Sequence, residues 1–243
     1  MNARERMLGR LRAAAPTDVS GDELKRLDAR IDLHYDSRRA ARPAVELSTH
    51  ALAESMQAML AASHAEVFRA TARTWPALIA QRLADANVKC VLLDTSREEG
   101  AALQRALPLS VATHTYDRPI ESWKANLFET IDAGFTVARS GIASTGTLIV
   151  APDAGSPRTM SLVPPLHIAL VYADSLHADL HAAMRAEQWQ AGMPTNLVLI
   201  SGPSKTSDIQ QTLAYGAHGP RELWVVIVER ETDNTSDTHG DAA

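Results

Sequence analysis

Apolar residues follow one spacing in the first sixty residues of the chain and another beyond them. Residues 3–14 and 21–31 read as helices by composition, with Ser20 and Gly21 ahead of the acidic first turn Asp22-Glu23, where negative charge meets the positive end of the helix dipole. Pro16 separates the two. The basic run Arg38-Arg39-Ala40-Ala41-Arg42-Pro43 is short and has no interleaved aromatic residue, so it reads as a solvated linker. Within Leu47 to Ala62, the residues Leu52, Met56, Met59 and Leu60 fall at spacings of three and four, which places them on one apolar helical stripe that packs on a core.

From residue 64 short apolar runs alternate with helix-length segments, the signature of crossover units on a mostly parallel sheet. Strands are predicted near 65–70, 88–94 and 111–115, with helices near 75–86, 97–107 and 120–132. Phe135–Val137 and Thr147–Ala151 read as two strands separated by a glycine-containing turn, and His167–Tyr172 as a further buried strand. A helix over Ser175–Gln190 follows, and the last strands, Asn196–Ile200 and Glu222–Val228, flank a short helix over Asp208–Tyr215. The fold class is therefore α/β, a mainly parallel sheet flanked by helices with an N-terminal helical arm. The predicted divisions are an arm and linker over 1–45, one domain over 46–229 and a disordered acidic tail over 230–243. The arm has helices but no strand, which suits self-association into a homo-oligomer.

Composition removes several function classes. A hydrophobic fraction of 45% with 22% charged residues supports a real core. The longest apolar runs, such as Ile168 to Ala173, fall far short of the roughly 18 residues a membrane span needs, and no apolar stretch follows the first arginines. The expectation is a cytoplasmic chain without membrane insertion. Net charge is −5, but Glu231, Asp233, Asp237 and Asp241 lie in the tail and leave the remainder at −1. That balance does not suit a nucleic-acid binder. The lone cysteine, Cys90, sits inside the apolar run Val88 to Leu93 and reads as an inert core thiol.

Two clusters could carry chemistry. The turn Ser140-Gly141-Ile142-Ala143-Ser144-Thr145-Gly146-Thr147 runs straight into the apolar Leu148-Ile149-Val150. Its glycines permit close backbone approach, and its hydroxyls offer donors and acceptors without bulk. A plain β-connection would look the same. The second cluster, Ser201-Gly202-Pro203-Ser204-Lys205-Thr206-Ser207-Asp208, joins a strand to the predicted helix, with Ser207 and Gln210 spaced as a capping box and Gly216 at the helix end. Lys205 would then stand just ahead of a helix N-terminus, where free N–H groups favour an anion. Gly202 stands three residues before Lys205, and the first glycine of a Walker A loop is missing, so no P-loop is assigned. His167, after Pro164-Pro165-Leu166, and His218, in Gly216-Ala217-His218-Gly219-Pro220, are candidate ligand contacts or ordinary structural histidines. No metal-site spacing, GxGxxG fingerprint or GxSxG elbow is present, and no metal or cofactor is assigned to the chain.

The strings Gly141-Ile142-Ala143-Ser144-Thr145-Gly146-Thr147-Leu148, Ser161-Leu162-Val163-Pro164-Pro165-Leu166-His167-Ile168, Ser201-Gly202-Pro203-Ser204-Lys205-Thr206-Ser207-Asp208-Ile209 and Gly216-Ala217-His218-Gly219-Pro220 resemble, in order and spacing over roughly residues 64–229, the LUD domain of lactate utilization protein C. The resemblance implies a fold like the NagB, ribose-5-phosphate isomerase and CoA-transferase group. It also implies a part in oxidising L-lactate to pyruvate beside iron–sulfur partner proteins. Those partners would carry the redox centres, since one cysteine cannot hold a four-thiolate cluster. The family often has an acidic residue where this chain has Ser144, which weakens a CoA-transferase-like glutamate mechanism; Glu129 and Asp132 match no catalytic motif.

The resulting expectation is a non-redox subunit binding a small anionic ligand through Gly141, Ser144, Thr145, Gly146, Thr147, His167, Gly202, Ser204, Lys205, Thr206, Asp208 and His218. Lys205 would supply charge, the backbone near Gly202 would supply donors, and Thr145 to Thr147 would close the other side. An ATP- or CoA-dependent enzyme resembling 5-formyltetrahydrofolate cyclo-ligase and a purely structural complex subunit are the alternatives. Whether the chain itself is an enzyme is left open.

Overall fold

The computed structural model describes residues 3–14, 20–41, 47–207 and 213–230. Its contacts divide the chain into two compact units, Met1–Ala44 and Val45–Ala243. The first holds α1 (Ala3–Ala14) and α2 (Gly21–Ala40), neither with a buried residue. Ser20 caps α2, its hydroxyl accepting from the Glu23 N–H at 3.2 Å. The helix does not stop at residue 31 as predicted. Arg38 and Arg39, expected in a linker, form its last turn; nothing between 31 and 40 breaks a helix, and cations are favoured at the negative dipole end. Pro16, Arg42, Pro43 and the acidic tail from 231 lie outside the described residues.

The second unit opens with α3 (Thr49–Ala62), capped by Ser48. The predicted stripe is real but narrower. Ala53, Met56 and Leu60 are buried, whereas Met59 is 40% exposed. There follow β1 (Glu66–Thr71), α4 (Trp75–Asp85), β2 (Cys90–Leu92), α5 (Glu98–Ala106), β3 (Ala112–His114), α6 (Lys124–Glu129) and β4 (Ala133–Val137). With β7 (Leu166–Tyr172) and β12 (Glu222–Glu229), these strands make one six-stranded sheet, order β1-β12-β7-β4-β2-β3. Every neighbouring pair in it is parallel. The central strands read as unbroken apolar runs because both faces are covered. Ile168, Leu170, Val226 and Val228 pack with Ile79 and Leu83 of α4 on one side. Ala169, Val171, Val225 and Ile227 pack with α3 on the other.

Three predicted helices and one strand connection differ. The helix expected over 120–132 is a 3-10 turn at Ile120–Ser122 followed by the short α6. Asp132 lies beyond it, where its carboxylate accepts from the N–H groups of Lys89 and Cys90 at 2.8 and 2.9 Å. The strands expected at 135–137 and 147–151 both form, but they lie in different sheets with a further strand between them in the chain. Phe135–Val137 belongs to the large sheet, and the chain then starts a second sheet with β5 (Ser140–Ile142), antiparallel to β6 (Thr147–Val150). That sheet runs β8-β5-β6-β9, with β8 at Leu176–His177 and β9 at Val198–Ile200.

The helix expected over 175–190 shrinks accordingly to α8 (Leu180–Ala186), because Leu176–His177 pairs with β5 and Asp179 caps the helix through the Ala182 N–H at 2.8 Å. Finally, Leu213–Tyr215, predicted helical, is a strand, β11, antiparallel to β10 at Lys205–Ser207. Residues 208–212 of that prediction, with Asp208 and Gln210, lie outside the described residues. The short helix α7 (Thr159–Leu162) lies over the start of β4: a Cβ on Gly134 would sit 2.0 Å from the Met160 carbonyl oxygen. Among the described residues no helix is long and apolar enough to cross a membrane.

Candidate functional site

His167 is the second residue of β7, so it sits at the N-terminal edge of the large sheet. Register pairs it with Gly134 and Leu223, on the face shared with Ala169 and Val171. The side chain is 1% exposed. Burial pulls its pKa down to about 3, so the imidazole is neutral near pH 7. Its Nε2 lies 2.8 Å from the hydroxyl of Thr136, one register step along β4 and equally buried. Its Nδ1 has no partner among the described residues.

A cavity of about 190 Å³ opens beside this ring. Ser161 and Leu162 of α7, strand β9, the loop Ser201–Ser204, the turn His218–Pro220 and Leu223 complete its walls. The loop and the turn are stitched together. The Ser204 N–H donates to the Pro220 carbonyl at 2.8 Å, and the Gly216 N–H to the Ser204 carbonyl at 3.0 Å. Ser204 and Gly219 approach so closely that a Cβ on the glycine would meet the serine Cβ at 3.1 Å.

Of the residues singled out from sequence, His167, Gly202, Ser204 and His218 line this cavity. Thr147 reaches it indirectly. Hydroxyls of Thr145, Thr147 and Ser201 form a chain with successive distances of 2.7 Å, ending on a cavity-lining serine. Gly141, Ser144 and Gly146 are not in its walls. Two of these have a packing reason to be glycine. A Cβ on Gly141 would lie 2.7 Å from a Leu176 methyl and 3.1 Å from Met56, and Gly146 has φ +59 with its Cβ position 2.8 Å from the Leu60 nitrogen. Gly202 likewise abuts the Ser63 carbonyl at 2.9 Å from its Cβ position. Lys205 is exposed and Thr206 half-buried, both on β10 and outside the cavity walls. The helix N-terminus that singled Lys205 out is not among the described elements. Sequence reasoning overlooked Thr136, whose signal was a hydroxyl inside an otherwise apolar buried strand, and Ser161 and Ser201, which were inside the quoted strings but not singled out.

A larger cleft, about 790 Å³, lies at the opposite edge, by the C-terminal ends of β1, β7 and β12, where open α/β sheets commonly bind ligands. Its charged groups are occupied with one another. Glu229 holds Arg69 in a two-point ion pair and lies 3.8 Å from His50, while Asp174 pairs with Arg230 at 3.1 Å. The Tyr172 hydroxyl donates to Glu99 at 2.8 Å, and burial, then that carboxylate, raises its pKa. The smaller cavity differs in having a lining residue, His167, whose buried ring nitrogen lacks a partner among the described residues, and it is taken as the candidate site. Cys90 is free and buried, its pKa raised by burial and then by Asp132.

The model of the LUD domain matches residues 53–228. An uncharacterized protein of Neisseria meningitidis serogroup B is 41% identical over 173 residues, 70% of this chain and 74% of that protein. Lactate utilization protein C of Shouchella clausii is 32% identical over 104 residues, and that of Deinococcus radiodurans 35% over 98. These two matches span 42% and 40% of this chain and only 45% and 46% of those relatives. The crystal structure of a DUF162 family protein from Deinococcus radiodurans superposes with a TM-score of 0.55 at 24% identity, covering 75% of this chain and 99% of that one. That likeness concerns the fold alone.

Proposed function

Since this chain belongs to the LUD domain family, we propose that it is a non-redox subunit supporting oxidation of L-lactate to pyruvate, and that the cavity beside His167 takes a small anionic ligand. The observation that carries the reading is the convergence of four separate strings. The 161–168, 201–209 and 216–220 strings each contribute residues to one cavity wall, and the 141–148 string is tied to it through Thr147 and Ser201. Relatives named lactate utilization protein C support the lactate assignment. The two electrons leaving lactate would pass to iron–sulfur partner proteins, because a chain with one cysteine cannot supply the four thiolates such a cluster takes.

Clean deletion of the gene should abolish growth on L-lactate as sole carbon source. The tagged chain should co-purify with iron–sulfur proteins, while the isolated chain carries no stoichiometric iron. Normal growth of the deletion strain in a background without a second lactate route would refute the proposal.

A further inference from the structure

The two sheet neighbours of β12 send the chain to opposite faces of the large sheet. From β1 it runs through residues 72–74 into α4, whose Ile79 and Leu83 pack with Val226 and Val228. From β7 it runs through the turn Ala173–Ser175 into β8, and Ala173 and Leu176 pack on the other face with α3. The C-terminal end of β12 therefore lies between two connections that depart in opposite senses, the arrangement in which open α/β sheets leave a crevice for a ligand. The cleft of about 790 Å³ is that crevice, and all of its lining residues belong to the second unit. Its volume falls within the roughly 300–1,000 Å³ usual for ligand pockets. A molecule as small as lactate would leave most of it unfilled.

Alternation along the strands gives the cleft two unlike walls. Val228 and Tyr172 belong to the apolar cluster on the α4 face, and the exposed Ala72 continues that wall. Thr71 and Glu229 are partners in register and fall on the α3 face, in step with Val67 and Ile227, where Asp174 joins them as a polar wall. We propose that this cleft is a second ligand site and takes a nucleotide: the base lies on the apolar wall, the ribose hydroxyls donate to Asp174 and Glu229, and the phosphate meets Arg230 at the mouth. Carboxylates at such crevices recurrently accept from ribose hydroxyls. Asp174 meets Arg230 through one carboxylate oxygen, and the Glu229 oxygens keep lone pairs beyond those given to Arg69. Arg230 spends one terminal nitrogen on Asp174 and is otherwise exposed, so its remaining donors are open to a phosphate. The connection from β1 to α4 has no glycine, so it does not bring backbone N–H groups around a pyrophosphate as a glycine-rich loop does. Base and ribose therefore carry the recognition, with a phosphate added at the rim. The proposal goes beyond the lactate reading and does not rest on it, since the cleft and the cavity beside His167 lie at opposite edges of the sheet.

The test titrates the full ¹⁵N-labelled chain with AMP, GMP, CMP and UMP, then with the nucleoside of the tightest binder, and takes affinities from calorimetry. That nucleotide should shift amides centred on residues 71–73, 172–174 and 228–230. It should bind about tenfold tighter than its nucleoside, the size of one charge-assisted contact, and R230A should remove the difference. A72W fills the cleft from its apolar wall and should weaken both probes by about tenfold or more. Melting temperatures of both variants should stay within about 2 °C of the wild type, because both positions are exposed. No binding of any of the nucleotides at ~5 mM, shifts centred instead on residues 201–204 and 218–220, equal affinity for nucleotide and nucleoside, or full affinity in A72W would each overturn the inference. The lactate reading would survive every one of these results, since growth of the deletion strain tests it separately.

Discussion

His167 couples the site to stability. Its folded pKa, about 3, lies below the ordinary 6.5, so between those values the unfolded chain binds a proton that the folded chain does not. The stabilisation is complete above pH 6.5 and is lost as pH falls toward 3, by about 1.4 kcal/mol per pH unit. Urea midpoints of the wild type and H167N should therefore converge as pH falls from 7 to 4.5, with the wild type losing stability faster. Parallel pH profiles for the two would show that His167 is not the buried neutral group described.

At the scale of elements, α3 positions the site without touching it. Gly141 and Gly146 of the small sheet lie against its Met56 and Leu60, and Gly202 of the cavity loop lies against Ser63 at its end. The hydroxyl chain and the loop are thus registered on one helix. Gly146→Ala combines a left-handed φ of +59 with a Cβ only 2.8 Å from the Leu60 nitrogen. It should cost about 2 kcal/mol or more of stability, read as a lowered denaturation midpoint. An unchanged midpoint would mean that the small sheet does not press on α3 as described.

For the whole molecule, the core clusters belong to the second unit, while α1 and α2 bury no residue. A chain truncated to residues 45–243 should therefore unfold cooperatively with a midpoint within about 2 °C of the full chain, since a change of 1 kcal/mol moves a domain of this size by roughly 2–4 °C. Loss of cooperative unfolding would show that the helical arm is part of the core. Sedimentation of the same two samples tests whether the arm drives self-association.

The sequence by itself determined the large parallel sheet, its covering helices and the family. Runs such as Val225–Val228 and Ile168–Val171 can bury both faces only in a central strand, and that signal is local. It also singled out four of the residues that line the cavity, His167, Gly202, Ser204 and His218, because the strings holding them are distinctive in themselves. Tertiary structure decided the rest. Leu176–His177 and Leu213–Tyr215 have helix-compatible compositions, yet each became a strand because a partner, β5 or β10, offered its backbone groups; short segments follow such pairing over propensity. Lys205 was singled out through a helix predicted to follow it, of which Leu213–Tyr215 is strand β11 and residues 208–212 lie outside the described residues. Thr136 and His167 are 31 residues apart, and no local pattern joins them. Their meeting depends on the register of β4 against β7, which exists only in the folded sheet.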